Sequence, residues 1–87
     1  MLEEFVGEKI VVDCRSEFVC LGTLKSFNGD FLEMRGADLH DLRDTETTRE
    51  VYVAESQRTG IKRNRKRLIL NRAEVVAIAK LDDVSDE

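Results

Sequence analysis

The densest concentration of reactive side chains in this sequence is a run of cations. Ile61-Lys62-Arg63-Asn64-Arg65-Lys66-Arg67 holds five basic residues in seven, and with Arg58 the stretch carries six of the fourteen Lys/Arg in the chain. Lys62, Arg63, Arg65 and Lys66 have the chemistry of phosphate contacts: they neutralise backbone charge and release counterions, and Arg also stacks on bases. The competing reading is a solvated loop, or internal ion pairs with Asp38, Asp41, Asp44 and Glu46. Asn28 and Asp30 have edges that can meet a base, although an Asn-Gly turn needs no ligand. Asn71 offers a donor–acceptor edge and Arg72 a phosphate fork or stacking plane; the plain alternative is a turn. Phe27 and Phe31 could stack on bases, with core packing the stronger expectation for both. His40 lies beside Asp38 and Asp41, and a single His with loosely spaced carboxylates points to ordinary surface rather than a metal site. No nucleophile–base pairing, P-loop or Gly-rich phosphate cradle occurs. Neither an enzyme nor a cofactor is expected.

The elements that must position these residues read mostly as strands. Ile10, Val12 and Cys14 alternate with Val11 and Asp13. After the polar break Arg15-Ser16-Glu17, the run Phe18 to Phe27 places Phe18, Cys20, Gly22 and Leu24 on one face and Val19, Leu21, Thr23, Lys25 and Phe27 on the other. Apolar groups on both sides predict a central, strongly bent strand, and Gly22 inside it predicts a kink or a close backbone approach. Asn28-Gly29-Asp30 is a turn signal, and a third strand starts at Phe31 with Leu32 and Met34 on one side. Asp41 to Thr48 reads as a polar loop. Thr47 with Glu50 three residues on, and Gly60 further along, predict a helix over Thr48 to Thr59; the rival is a strand through Val51-Tyr52-Val53. Two short apolar runs close the chain, Leu68-Ile69-Leu70 and Val75-Val76-Ala77-Ile78-Ala79. Neither alternates, and a strand apolar on both faces is normally covered on both. Leu68, Ile69, Leu70, Val75, Val76 and Ile78 are therefore expected to bury against another subunit.

Composition narrows the class. Eighty-seven residues with 41% hydrophobic and 37% charged side chains fit one folded domain, acidic overall at a net charge of −4. Two cysteines, Cys14 and Cys20, read as core thiols rather than a disulfide scaffold. The longest apolar run, Val75 to Ala79, falls far short of the roughly 20 residues of a membrane span. Met-Leu-Glu-Glu-Phe at the start lacks the basic and apolar regions of a secretory leader. The expectation is a soluble, cytoplasmic chain with no membrane contact. A domain this small is marginal alone, so help from neighbouring copies is expected.

The order of these features resembles the Sm and Sm-like (LSm) family of small bent β-barrels, to which bacterial Hfq belongs. Val6-Gly7-Glu8-Lys9-Ile10-Val11-Val12 looks like the family's helix-to-strand entry, with Leu2 to Val6 as its N-terminal helix. Cys20-x-Gly22-x-Leu24 running into Lys25-Ser26-Phe27-Asn28 resembles the first Sm motif, and Leu32-x-Met34 continues it. Leu68-Ile69-Leu70-Asn71 with Val75-Val76-Ala77-Ile78 resembles the second. Where the family carries a Met-Asn pair, this chain has Asn28-Gly29-Asp30-Phe31-Leu32; where the family carries Arg-Gly, it has Leu70-Asn71-Arg72. The resemblance implies a mainly β fold: a strongly bent five-stranded antiparallel sheet or open barrel, a short N-terminal helix, and a helix in the long segment before the fourth strand. It implies one domain over residues 1–81, with a variable segment inserted at 44–66 and an acidic, frayed tail at 82–87. It further implies a homo-oligomeric ring of roughly five to seven subunits closed by strand edges. Single-stranded RNA would be held there without catalysis by Asn28, Asp30, Phe31, Asn71 and Arg72, with Lys62, Arg63, Arg65 and Lys66 on phosphates. The alternative is a structural or protein-interaction ring that kept the fold and lost the RNA pocket. No metal is expected.

Overall fold

Residues 18–41 form the longest hairpin of the chain because two strand-forming runs flank a turn that caps itself. In the computed structural model, which describes residues 1–85, strand β2 (Phe18–Phe27) and strand β3 (Phe31–Asp41) pair antiparallel across Asn28-Gly29-Asp30. Strand β1 (Lys9–Cys14) pairs with β2, strand β5 (Val75–Lys80) with β1, and strand β4 (Arg65–Asn71) with β3. The single sheet has the order β4-β3-β2-β1-β5, is antiparallel throughout, and is not closed into a barrel, since β4 and β5 do not pair. The mainly β expectation holds.

The bend is visible in how burial divides. One cluster gathers Ile10, Val12, Cys14, Cys20, Leu24, Leu32, Met34 and Ala37, with Leu68 and Leu70 from β4 and Val75 and Ile78 from β5 packed against it. Side chains from all five strands reach one inner layer, so the sheet curls around it. A second cluster lies on the opposite face: Val11, Val19 and Leu21 from the strands, Tyr52 and Val53 from the helix, and Leu81. The two-faced reading holds for Phe18, Cys20 and Leu24 against Val19 and Leu21. Phe27, expected beside Val19 and Leu21, instead packs on the inner cluster with Leu24, because the β2–β3 register shifts between Leu24 and Ser26. The β2–β3 register shifts between Leu21 and Thr23 and again between Leu24 and Ser26. At the first shift a side-chain carbon on Gly22 would lie 3.0 Å from Ala37 Cα and 3.2 Å from Arg35 O, so the backbones meet there only because residue 22 is glycine.

Helix α1 (Arg49–Thr59) settles the choice at Val51 to Val53 in favour of helix. Its cap is Thr48, whose side chain accepts from Val51 N at 3.2 Å, one residue after the Thr47 expected from the capping-box spacing. Gly60 ends it, donating its N–H to Ser56 O at 2.9 Å. Tyr52, Val53 and Ser56 are buried and lay the helix over the second face of the sheet.

The ends differ from expectation in two places. The N-terminal segment forms a 3-10 turn over Leu2–Phe5 rather than an α-helix; four residues are too few to offset α-helix nucleation. Leu2 and Phe5 still pack on the inner cluster. The segment 82–87 was expected to fray, yet Leu81–Asp83 is a 3-10 turn with Leu81 buried, and Gln57 Nε2 donates to Leu81 O at 2.9 Å and Val84 O at 3.0 Å. Residues 86 and 87 of that tail lie outside the described residues. Both cysteines are free and buried; burial pushes the Cys20 thiol up to about 12 and that of Cys14 upward too. No helix among the described residues is long and apolar enough to cross a membrane.

Candidate nucleic-acid interface

Five of the expected contact residues meet at one end of the sheet. Phe31 and Asn71 are register partners, and Arg72 N donates to Asp30 O at 2.8 Å. The Arg72 guanidinium donates to the Asn28 carbonyl, which locks the two turns together. Asn28 Oδ1 accepts from Asp30 N and Phe31 N, both at 2.8 Å, and Asn71 Oδ1 accepts from Ala73 N at 3.0 Å. Both asparagines therefore spend their side-chain acceptors on their own turns, as the turn reading anticipated. Phe31 departs from the core-packing expectation: it is 46% exposed, because it begins β3 on the outward side while Leu32 and Met34 turn inward. Phe27 does pack on the inner cluster.

An open hollow of about 220 Å³ adjoins this end, with Phe31 and Ile69 as apolar walls and Glu33 and Arg67 as polar ones. Arg35 and Arg67 are cross-strand partners, a like-charge pair that costs stability unless bridged. Glu33 bridges it: its carboxylate accepts from Arg67 Nε at 2.8 Å, Arg35 Nε at 3.1 Å and Ser26 Oγ at 3.0 Å. The Arg67 hydrogen bond, then that of Ser26, holds the Glu33 carboxyl at about 2. One carboxylate against two guanidiniums leaves this outward patch net positive.

Apart from Arg67, the basic stretch sits elsewhere. Arg65 pairs with Ala37 and Asn71 with Phe31, so six strand residues, roughly 20 Å, separate the start of β4 from the turn end. Lys62, Arg63, Arg65 and Lys66 consequently do not share a pocket with Asn28, Asp30, Asn71 and Arg72. Arg65 and Lys66, expected in the variable segment, belong to β4. The internal ion pairs considered for the stretch do not form: Asp41 is held by Arg43 at 2.8 Å, and Asp38 takes Asn64 Nδ2 at 2.9 Å. Among the described residues only Arg67 of the stretch has an ion pair, with Glu33.

A buried polar cluster absent from the sequence reading holds the segment before β4 in place. Asp38 is only 5% exposed and accepts from the Tyr52 hydroxyl as well as from Asn64. Burial, then the hydrogen bond to Asp38, raises the Tyr52 pKa. Asn64 prolongs the β3–β4 ladder: its N–H donates to Ala37 O at 2.9 Å, its Oδ1 accepts from Leu39 N at 3.1 Å, and its Nδ2 also reaches Leu39 O at 3.2 Å. His40, expected at the surface, is half-buried, stacked on Tyr52 with ring centroids 3.9 Å apart. The signal that could have revealed the cluster was Asp38 interrupting the apolar Ala37 and Leu39 in a strand.

The six expected interface residues divide by direction. Leu68, Leu70, Val75 and Ile78 are half-buried inside the chain, whereas Ile69 is 42% and Val76 66% exposed. The expectation that these strands lack cover on both faces is corrected: the inward face is covered within the chain, and the outward face is not. No protein-family model and no curated protein matches the chain.

Proposed function

We propose that this chain is a non-catalytic, Sm-like module that assembles into a homo-oligomeric ring and holds single-stranded RNA on it. The carrying observation is that the sheet ends in two unlike open edges, β4 and β5, each bearing an exposed apolar residue. Unlike edges joined head to tail close into a ring when the rotation permits, and closure removes an edge that otherwise templates aggregation. The mechanism is edge pairing: residues 68–70 of one copy continue the sheet through residues 75–79 of the next. Exposed Phe31 supplies a stacking face, and Arg72, Arg67 and the exposed cations of the basic stretch supply phosphate contacts. Particle mass with and without RNA tests both halves together. A multiple of 10.0 kDa that shifts further with short U-rich or A-rich RNA is the expected result; a monomer at micromolar concentration defeats the ring.

The alternative is a scaffold ring that binds protein rather than RNA. It is favoured by the side-chain oxygens of Asn28 and Asn71 being committed to turns, and by the net charge of −4. Filter binding across a salt series separates the two, because absence of RNA binding at low salt leaves only the scaffold.

A further inference from the structure

Around Gly36, at the bend of β3, two hollows open side by side and share the same two residues, Gly36 and Arg63. The first, about 490 Å³, is lined further by Lys25, Arg35, Val6 and Thr23; the second, about 310 Å³, by Arg65 and Lys66. Gly36 has a φ of +53°, and a side-chain carbon there would lie 3.0 Å from Arg63 Nε, so the missing side chain is what lets Arg63 lie flat on the strand. The neighbouring Asn64 is fixed to β3 by its backbone and side-chain bonds, which sets where Arg63 emerges. Five cations thus border a depression made of two adjoining hollows that share Gly36 and Arg63, in a protein that is acidic overall. The carboxylate that reaches into this group is Glu33, 3.0 Å from Arg35. Lys25, Arg63 and Lys66 have no ion pair among the described residues.

We infer that this depression binds an oligophosphate chain, with Arg63 at its centre and Lys25, Arg35, Arg65 and Lys66 along its length. A single carboxylate or phosphate would satisfy one or two of these groups; an extended anion with repeated charge satisfies the row, and guanidinium forks match phosphate oxygens. The phosphates come either from an RNA backbone, in which case the inference rests on the proposed RNA binding, or from a free oligophosphate. The cleft lies away from the Asn28–Arg72 turns, at the middle of β3 rather than at the Phe31 end where those turns meet.

Two titrations decide it. The first follows the amide resonances of Gly36 and Arg63 by NMR as inorganic tripolyphosphate is added. The second measures RNA affinity against salt for the native chain, for K25Q/R63Q/K66Q and for Lys9→Gln as a charge-loss control. The expected result is movement of both resonances by tripolyphosphate. In the triple variant the slope of log affinity against log salt becomes shallower by about two, from about 0.7 per lost phosphate contact on a single strand, with Lys9→Gln unchanged. Tripolyphosphate binding at Gly36 without any RNA binding keeps the cleft, names the free anion as its source and removes the RNA reading. Tripolyphosphate binding with an unaltered RNA slope also names the free anion. RNA binding that the triple variant retains in full, with no tripolyphosphate response, overturns the cleft and spares the RNA reading; silence in both titrations overturns both.

Discussion

At Gly22 the backbones of β2 and β3 approach so closely that an added side chain would press on Ala37 and on the Arg35 carbonyl, which have little room to yield. A side-chain carbon would sit 3.0 Å from Ala37 Cα and 3.1 Å from Ala37 Cβ. Gly22→Ala is expected to cost about 1–3 kcal/mol as overpacking, seen as a lower urea midpoint at unchanged slope. Glu33 makes a different kind of prediction. Its carboxyl titrates at about 2 in the fold because Arg67 and Ser26 bond its charged form. A depressed folded value means the contribution is fully present above the ordinary value near 4.5 and is lost as pH falls through about 2. NMR titration of the Glu33 carboxyl should place its midpoint in that low range, and Arg67→Gln should move it upward towards 4.5; an unmoved midpoint would remove Arg67 as the cause. The partners are exposed, so added salt should weaken the depression. Gly22 was legible in the sequence, since a lone glycine within a run of strand formers has few physical explanations. Glu33 was not, because its partner lies 34 positions away and the pairing exists only once the β3–β4 register is known.

Helix α1 owes its existence to signals at its two ends and its position to a polar lock in its middle. Thr48→Ala removes the acceptor for Val51 N and should cost about 1 kcal/mol. Tyr52→Phe keeps the ring on His40 and the apolar burial but takes one donor from the buried Asp38 carboxylate. That loss should cost about 1–3 kcal/mol, with faster amide exchange across residues 49–64 than in β1 and β2. Equal exchange throughout would mean that the helix is held by Val53 and Leu81 packing alone. The helix itself could be read from a threonine near its start and Gly60 after its end, although the cap proved to be Thr48 rather than Thr47. Its orientation could not be read. Asp38 and Asn64 are separated by 26 positions, and nothing in local propensity joins a strand aspartate to a loop asparagine. A different limit applies to the N-terminal segment, where the resemblance implied a helix over Leu2 to Val6 but the four residues Leu2–Phe5 settle into a 3-10 turn.

For the whole molecule the question is which part of each open edge invites a neighbour. Strand β4 is divided along its length: Arg65-Lys66-Arg67 comes first, then Leu68-Ile69-Leu70-Asn71. Charged residues, Lys above all, are how natural sheets discourage edge pairing, so the first half of β4 is guarded and the second half is open. On β5 the apolar run Val75 to Ala79 meets a charge only at Lys80, which lies 3.7 Å from Glu8. The sequence patterns pointed to this pair of runs as needing cover; within the chain the inward halves find it, and Ile69 and Val76 stay exposed. Periodicity could not show that Leu68, Leu70, Val75 and Ile78 turn inward, because a curled sheet supplies an inner layer that a flat one lacks. That division makes the ring testable without unfolding the chain. Ile69 and Val76 point away from the inner cluster, so Ile69→Lys with Val76→Lys should leave the far-UV circular dichroism and the melting transition close to native. The same substitutions place cations on both partner edges, where like charges directly opposite oppose pairing. Light scattering of the double variant should therefore give the 10.0 kDa of one chain under conditions where the native protein gives a multiple of it. An assembly of undiminished mass would show that copies associate through some other surface, and the edges would then have to be guarded within the monomer.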